Sequence, residues 1–269
     1  MSAPLRLGAV PYLNARPLVE GLAAAPGVQL LRAVPSELIA RLRAGTLDAA
    51  LASAVELFRD PPLGWLPGPA VTSAGPVRSI LLYLRRPPRE VTSLALDTSS
   101  RSAAVLARVC LAECYGVRAP AVLPTHPTTP LDAVDADAVL RIGDPALTTA
   151  PDDREVLDLG ALWTERTGLP CVYAVWLVRP GVPAEPLCAL VNAAREAGLR
   201  RRDALAHAFA AEHGLQGDAC AAYLAGCIGY DAGSRELAGL ALLGRKAHAL
   251  GLVDRPDLPP PLHAPAAAI

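Results

Sequence analysis

Apolar runs of strand length alternate with stretches of helical periodicity along the first third of the chain. Leu5 to Val10 reads as a strand, and the turn Pro11-Tyr12-Leu13-Asn14 leads into an amphipathic stretch from Ala15 to Ala25. Asn14 stands at the N-cap position and Pro17 falls near the first turn, both suited to a helix start. Gln29 to Ala33 reads as a second strand. Ser36 caps a predicted helix over Glu37 to Ala44, which Gly45 ends. Ala49 to Ala52 is a third strand, followed by Ser53-Ala54-Val55-Glu56-Leu57-Phe58. Strands separated by helices of this length predict a parallel sheet covered on both faces.

Arg59 to Pro76 is rich in Pro and Gly and reads as a loop. Ser79 to Leu84 is a strand, and Arg85 to Glu90, with Pro87-Pro88, reads as a crossing between lobes. A second α/β unit then begins: strand Leu94 to Asp97, turn Thr98-Ser99-Ser100, and a helix from about Arg101 to Tyr115. Strands follow at Ala121 to Leu123 and Ala138 to Ile142, and the apolar run Cys171 to Val178 returns to the first lobe. Helices are predicted over Pro186 to Arg201, Ala204 to His213, Ala219 to Ile228 and Arg235 to Leu250, with Asp218 and Ser234 as N-caps of the last two. The tail from Pro256 is expected to be poorly ordered. The fold class this predicts is α/β: a two-lobed, periplasmic-binding-protein-like (type II) fold with the ligand cleft between lobes. Residues 1–87 and 177–269 would form one lobe and 88–176 the other. In such folds ligands sit at the carboxyl ends of strands and the amino ends of helices.

Composition narrows the function. The 269 residues are 52% hydrophobic but only 4% aromatic, so the core is built from Ala, Leu and Val. With 25 basic against 26 acidic residues the net charge is −1, which excludes a strongly basic nucleic-acid binder or a polybasic membrane ligand. The single lysine, Lys246, lies in a helical pattern and reads as an ordinary surface residue rather than a Schiff-base former. The six cysteines include no CxxC and read as inert thiols; the five histidines are scattered, so no metal site is encoded locally. Met1 to Leu13 resembles neither a signal peptide nor a membrane span, and a cytoplasmic location is expected.

The richest chemistry lies in Asp97-Thr98-Ser99-Ser100-Arg101-Ser102. Free N–H groups at a helix start, added hydroxyls and an arginine suit a carboxylate or phosphate, although one of these residues would also serve as a plain cap. The junctions holding Tyr12 and Asn14, and Ser53 with Glu56, repeat the design; each is also read as simple capping. Ser79 is either a solvated loop serine or a group beside the lobe crossing. Asp144, in Ile142-Gly143-Asp144-Pro145-Ala146-Leu147, is a base, a ligand contact or a helix cap. Trp163 packs between lobes or covers a pocket.

Four segments in order resemble the chorismate dehydratases of the futalosine route to menaquinone. They are Val10-Pro11-Tyr12-Leu13-Asn14-Ala15-Arg16-Pro17-Leu18, the Asp97 to Ser102 turn, Ile142 to Leu147, and Trp163 through Thr167-Gly168-Leu169-Pro170 to Tyr173-Ala174-Val175-Trp176. Cys171 departs from the family, which often has Phe there. The resemblance implies a cofactor-free lyase that removes water from chorismate, giving 3-[(1-carboxyvinyl)oxy]benzoate. It implies the substrate's enolpyruvyl carboxylate as base, with Asn14 and Ser79 assisting. Tyr12, Ser53, Thr98, Ser99, Ser100, Arg101 and Asp144 are the expected substrate contacts; a base supplied by the protein would be Asp144, Asp97 or Glu56. Two alternatives share the fold: a non-catalytic carboxylate-binding module, and the sister 1,4-dihydroxy-6-naphthoate synthase, whose usual N-terminal turn is absent here.

Overall fold

The computed structural model describes residues 3–97, 101–150 and 152–262. The chain opens with β1 (Leu5–Ala9), a 3-10 segment (Leu13–Leu18), β2 (Val28–Arg32), α1 (Pro35–Arg43) and β3 (Ala49–Ser53). A 3-10 segment (Ala54–Phe58) and the long β4 (Gly64–Ser73) follow. The next elements are β5 (Ile80–Leu84), β6 (Ser93–Asp97), α2 (Arg101–Tyr115), β7 (Ala121–Thr125), β8 (Ala138–Ile142), α3 (Gly143–Thr148), β9 (Glu155–Asp158) and α4 (Leu159–Thr167). The chain closes with β10 (Cys171–Val178), α5 (Ala184–Arg200), α6 (Arg202–His213), α7 (Gly217–Gly226), β11 (Gly229–Ala232) and α8 (Ser234–Ala249).

Two sheets result, ordered β11-β4-β10-β3-β1-β2 and β7-β6-β8-β5-β9. Both are mixed rather than parallel. In the first, β1 runs parallel to β2 and β3, whereas β10 is antiparallel to β3 and β4. In the second, β6 is parallel to β7 and β8, but β5 is antiparallel to its neighbours. Every residue of β10 is buried, which explains its unbroken apolar run. α2 buries Ala103, Leu106, Val109 and Cys110 on one face, the helical spacing visible in its sequence.

Sheet membership differs from the expected division. β5, expected in the first lobe, pairs only within the second sheet, and β10, which a boundary after 176 would split, lies wholly in the first. The chain passes between sheets in the segments 74–79 and 168–170, not at Arg85 to Glu90. Asp158 holds the first crossing in place. Its carboxylate accepts the N–H groups of Val77 and Arg78 at 3.0 and 2.7 Å and those of Gly160 and Ala161 at 2.9 and 3.0 Å, so it caps α4 while pinning the first crossing.

Several local expectations are corrected. The expected loop over Arg59 to Pro76 contains β4, a strand paired on both sides. Its register against β10 jumps from Leu66 to Ala70, so Pro67-Gly68-Pro69 bulges where prolines have no N–H to donate. The stretch after Asn14 forms two 3-10 turns, not one α-helix, and Asn14 is not its cap. Gly198 of α5 lies against that first turn: an added Cβ would meet the Pro17 carbonyl oxygen at 1.9 Å. Ser36, Asp218 and Ser234 are not caps either, since Val34, Gln216 and Gly233 hold those positions. Residues 256–262 of the tail are held on β4, where the Trp65 indole donates to Pro259 O at 2.9 Å and Leu262 N–H to Trp65 O at 3.0 Å. Trp163 is buried within α4, its indole donating to Pro170 O, and so belongs to packing rather than to a lid. Lys246 pairs with Glu113, tying α8 to α2.

Candidate active site

A small cavity opens between the two sheets. Val10, Tyr12 and Asn14 reach it from the end of β1, Ser53 from the end of β3, and Ile142 and Gly143 from the end of β8. Ser79 and Ile80 line it at the start of β5, Ser102 and Ala103 at the start of α2, and Val71, Tyr173 and Ala174 complete the wall with Pro35. Strand carboxyl ends and helix amino ends therefore converge here, as the connectivity of an open α/β sheet favours.

Four expected residues thus meet in one place: Tyr12, Asn14, Ser53 and Ser79. Gly143 lets the second sheet approach Tyr12. Its φ of +60° suits glycine, and a Cβ there would stand 2.7 Å from the Tyr12 ring. Ser79 is fully buried, and its Oγ accepts a 2.7 Å hydrogen bond from the phenol of Tyr223 on α7. The Asn14 side chain lines the same cavity as Ser79. Burial raises the Tyr223 pKa well above the usual phenol value, which keeps it protonated.

Other expected contacts lie elsewhere. Thr98, Ser99 and Ser100 fall outside the described residues. Arg101 points away from the cavity, its guanidinium 2.9 Å from the Glu56 carboxylate. Glu56 is completely buried and also meets Arg43 at 3.2 Å and Arg59 at 3.7 Å, so it is a structural counter-ion and no base. Asp97 is buried and lines a separate cleft with Arg101 and Arg108. Asp144 borders another cleft, and its carboxylate accepts the Leu13 N–H at 3.0 Å instead of capping α3. Burial pushes the Asp144 carboxyl up, and the Leu13 hydrogen bond works against that shift.

Residues 5–249 match the family described as menaquinone biosynthesis. The chain belongs to that family. The chorismate dehydratase of Thermus thermophilus is 34% identical over 236 residues, covering 79% of this chain and 84% of that relative. Protein AF1704 from Archaeoglobus fulgidus is similar in structure, with a TM-score of 0.77 at 16% identity over 94% of this chain and 99% of its own. The periplasmic aliphatic sulphonate binding protein SsuA from Escherichia coli gives a TM-score of 0.61 at 16% identity, over 100% of this chain and 96% of its own. These structural likenesses establish the periplasmic-binding-protein-like fold. The chain is an enzyme of menaquinone biosynthesis. None of its described helices is long and apolar enough to cross a membrane.

Three further polar residues line or support the cavity: Ser102 and Tyr173, which lie in segments singled out in the sequence without a role of their own, and Tyr223, which the sequence reading missed. Ser102 accepts the Val55 N–H at 3.3 Å, joining α2 to the first lobe at the cavity edge. Tyr173 shares a 2.7 Å hydrogen bond with Ser73, and both are buried. Beside them Cys171 is fully buried and its thiol is pushed up to about 12, so it carries no thiolate chemistry at neutral pH. Tyr223 is the third. A lone tyrosine in an Ala-rich helix was the available signal, because a buried phenol needs a partner.

Proposed function

We propose that this enzyme is a hydro-lyase that converts chorismate to 3-[(1-carboxyvinyl)oxy]benzoate. The observation that carries the reading is the chemistry of the cavity wall. Its described lining consists of hydroxyls, one carboxamide and apolar groups, with no carboxylate, imidazole, amine or thiol. A site so furnished can orient a substrate and donate hydrogen bonds, but it has no side chain suited to act as a base. Chorismate needs none from the protein, because its enolpyruvyl carboxylate can take the ring proton at C3.

The elimination is redox-neutral. The C3–H electron pair enters the ring, the C4–O bond breaks, and hydroxide departs to end as water with the abstracted proton. Aromatisation supplies the driving force, which leaves the protein the tasks of holding the ring and stabilising the departing oxygen. Val10, Val71, Ile80 and Ile142 offer apolar walls to the ring, while Asn14 and Ser79, lining the same cavity, serve the leaving group. The relative from Thermus thermophilus that shares a third of its residues carries the same activity in its name.

A blocked substrate tests the mechanism. Chorismate should be converted, whereas chorismate methylated on the enolpyruvyl carboxylate should bind without turnover. Conversion of the ester at a comparable rate would remove the substrate carboxylate from the role of base. A non-catalytic binding module would convert neither.

A further inference from the structure

Tyr223 occupies an unusual place for the only tyrosine of its helix. It projects from α7 with 2% of its surface exposed, among Cys220 and Leu224, and its phenol ends on Ser79 rather than in solvent. Ser79 and Tyr223 lie 144 residues apart in sequence, so the contact joins the C-terminal helices to the start of β5. A phenol has one hydrogen, and this one is donated to Ser79 Oγ. Because the Ser79 oxygen is already an acceptor, its own hydrogen is left for another partner, and among the described residues it reaches no protein acceptor. The cavity is the remaining direction.

We propose that Tyr223 is a positioning residue for the reaction: its phenol sets a directed chain, Tyr223 O–H to Ser79 O–H, which aims the Ser79 hydrogen at the departing C4 oxygen of the substrate. This rests on the dehydratase reading of the site. The chain transfers no proton. The C3 proton goes to the substrate carboxylate, the C4–O electron pair leaves with the oxygen, and Ser79 holds a hydrogen bond to that oxygen as its charge grows. A donor oriented before reaction stabilises developing charge without reorganising, which is where such groups act most strongly. Tyr223→Phe keeps the ring that packs in α7 and deletes only the oxygen.

The test is a cycle of wild type, Tyr223→Phe, Ser79→Ala and the double variant, assayed with chorismate and by thermal melting. Tyr223→Phe should lower kcat by about tenfold or more, with KM changed by less than about threefold, which a packing role would not produce. In the Ser79→Ala background the same substitution should change kcat by less than about twofold, because residues acting as one unit are not additive. Wild-type kcat in Tyr223→Phe, or an equal fractional loss in both backgrounds, overturns the proposal. A wild-type protein that leaves chorismate untouched refutes the dehydratase reading by itself, and a tyrosine-labelled NMR sample then decides the hydrogen-bond chain. A slowly exchanging phenol proton, absent in Tyr223→Phe and accelerated in Ser79→Ala, supports the chain; a proton indifferent to Ser79→Ala overturns it.

Discussion

The Asp144 carboxylate accepts the backbone N–H of Leu13 at 3.0 Å, linking the end of β8 in one sheet to the turn after β1 in the other. The bond explains why an acidic residue sits beside the cavity without lining it. Asp144 acts as a strut between lobes. Asp144→Asn retains an acceptor oxygen for Leu13 and should keep kcat/KM within about threefold, whereas Asp144→Ala should cost about 1 kcal/mol of stability in a urea titration. Burial raises the folded-state pKa of this carboxyl, so its contribution to stability declines as pH rises from the ordinary carboxylate value through the raised one. Asp144→Asn should therefore compare more favourably with wild type at pH 7 than at pH 3. Loss of turnover in Asp144→Asn with chorismate still bound would restore a protein base.

Arg101 supplies the second prediction. Its guanidinium serves Glu56, which it shares with Arg43 and Arg59. Arg101→Ala should leave KM for chorismate within about twofold and cost less than about 1 kcal/mol, since the arginine itself is half-exposed and two other cations remain. Glu56→Gln strips a buried anion from three guanidinium groups and should cost about 2–3 kcal/mol, read by chemical denaturation. A tenfold rise in KM for Arg101→Ala would place that residue at the substrate after all.

Asp48 governs the acid limb. Hydrogen bonds from Arg6, both guanidinium and backbone N–H, and from Arg179 hold its carboxyl well below the ordinary value of 3.8. A depressed folded-state pKa gives stability that is present above the unfolded value and lost as pH falls from there toward the folded one. Acid unfolding should show this loss below about pH 4 in wild type and a flatter pH dependence, from a lower starting stability, in Asp48→Asn. Parallel curves for the two proteins would contradict the assignment.

Asn14 carries the fourth. Asn14→Ala should reduce chorismate turnover by about 10²-fold, the usual cost of a lost transition-state donor, with the dissociation constant changed by only a few fold. Full turnover would remove Asn14 from the reaction.

How much of this was legible in the sequence depended on the kind of signal. α2 and β10 were read to their boundaries because each follows a simple rule: one buried helical face for α2, burial on both sides for β10. The cavity residues Tyr12, Asn14 and Ser53 could be nominated because polar groups just beyond apolar strands stand at strand ends, whereas Ser79, just before β5, was named only through the family resemblance. β4 was hidden by Pro67-Gly68-Pro69, which by local propensity is a turn and in the sheet is a bulge. The cap assignments failed because Ser36, Asp218 and Ser234 each lie inside the helix they were expected to start, and tertiary packing sets such ends within a residue or two. Arg101 and Glu56 are the instructive pair. Both have the residue type for substrate chemistry, and only the fold reveals that each is occupied by the other. The Tyr223 to Ser79 contact was out of reach because no local pattern encodes a pairing across so much chain.

The most direct test of the account is to incubate the purified protein with chorismate, adding no metal or cofactor, and to follow the products by mass spectrometry and ultraviolet absorbance. The account predicts a new aromatic product lighter than chorismate by one water and identical to 3-[(1-carboxyvinyl)oxy]benzoate. Chorismate recovered unchanged, while still protecting the protein against thermal unfolding, would contradict it and mark the cleft as a binding site without a reaction.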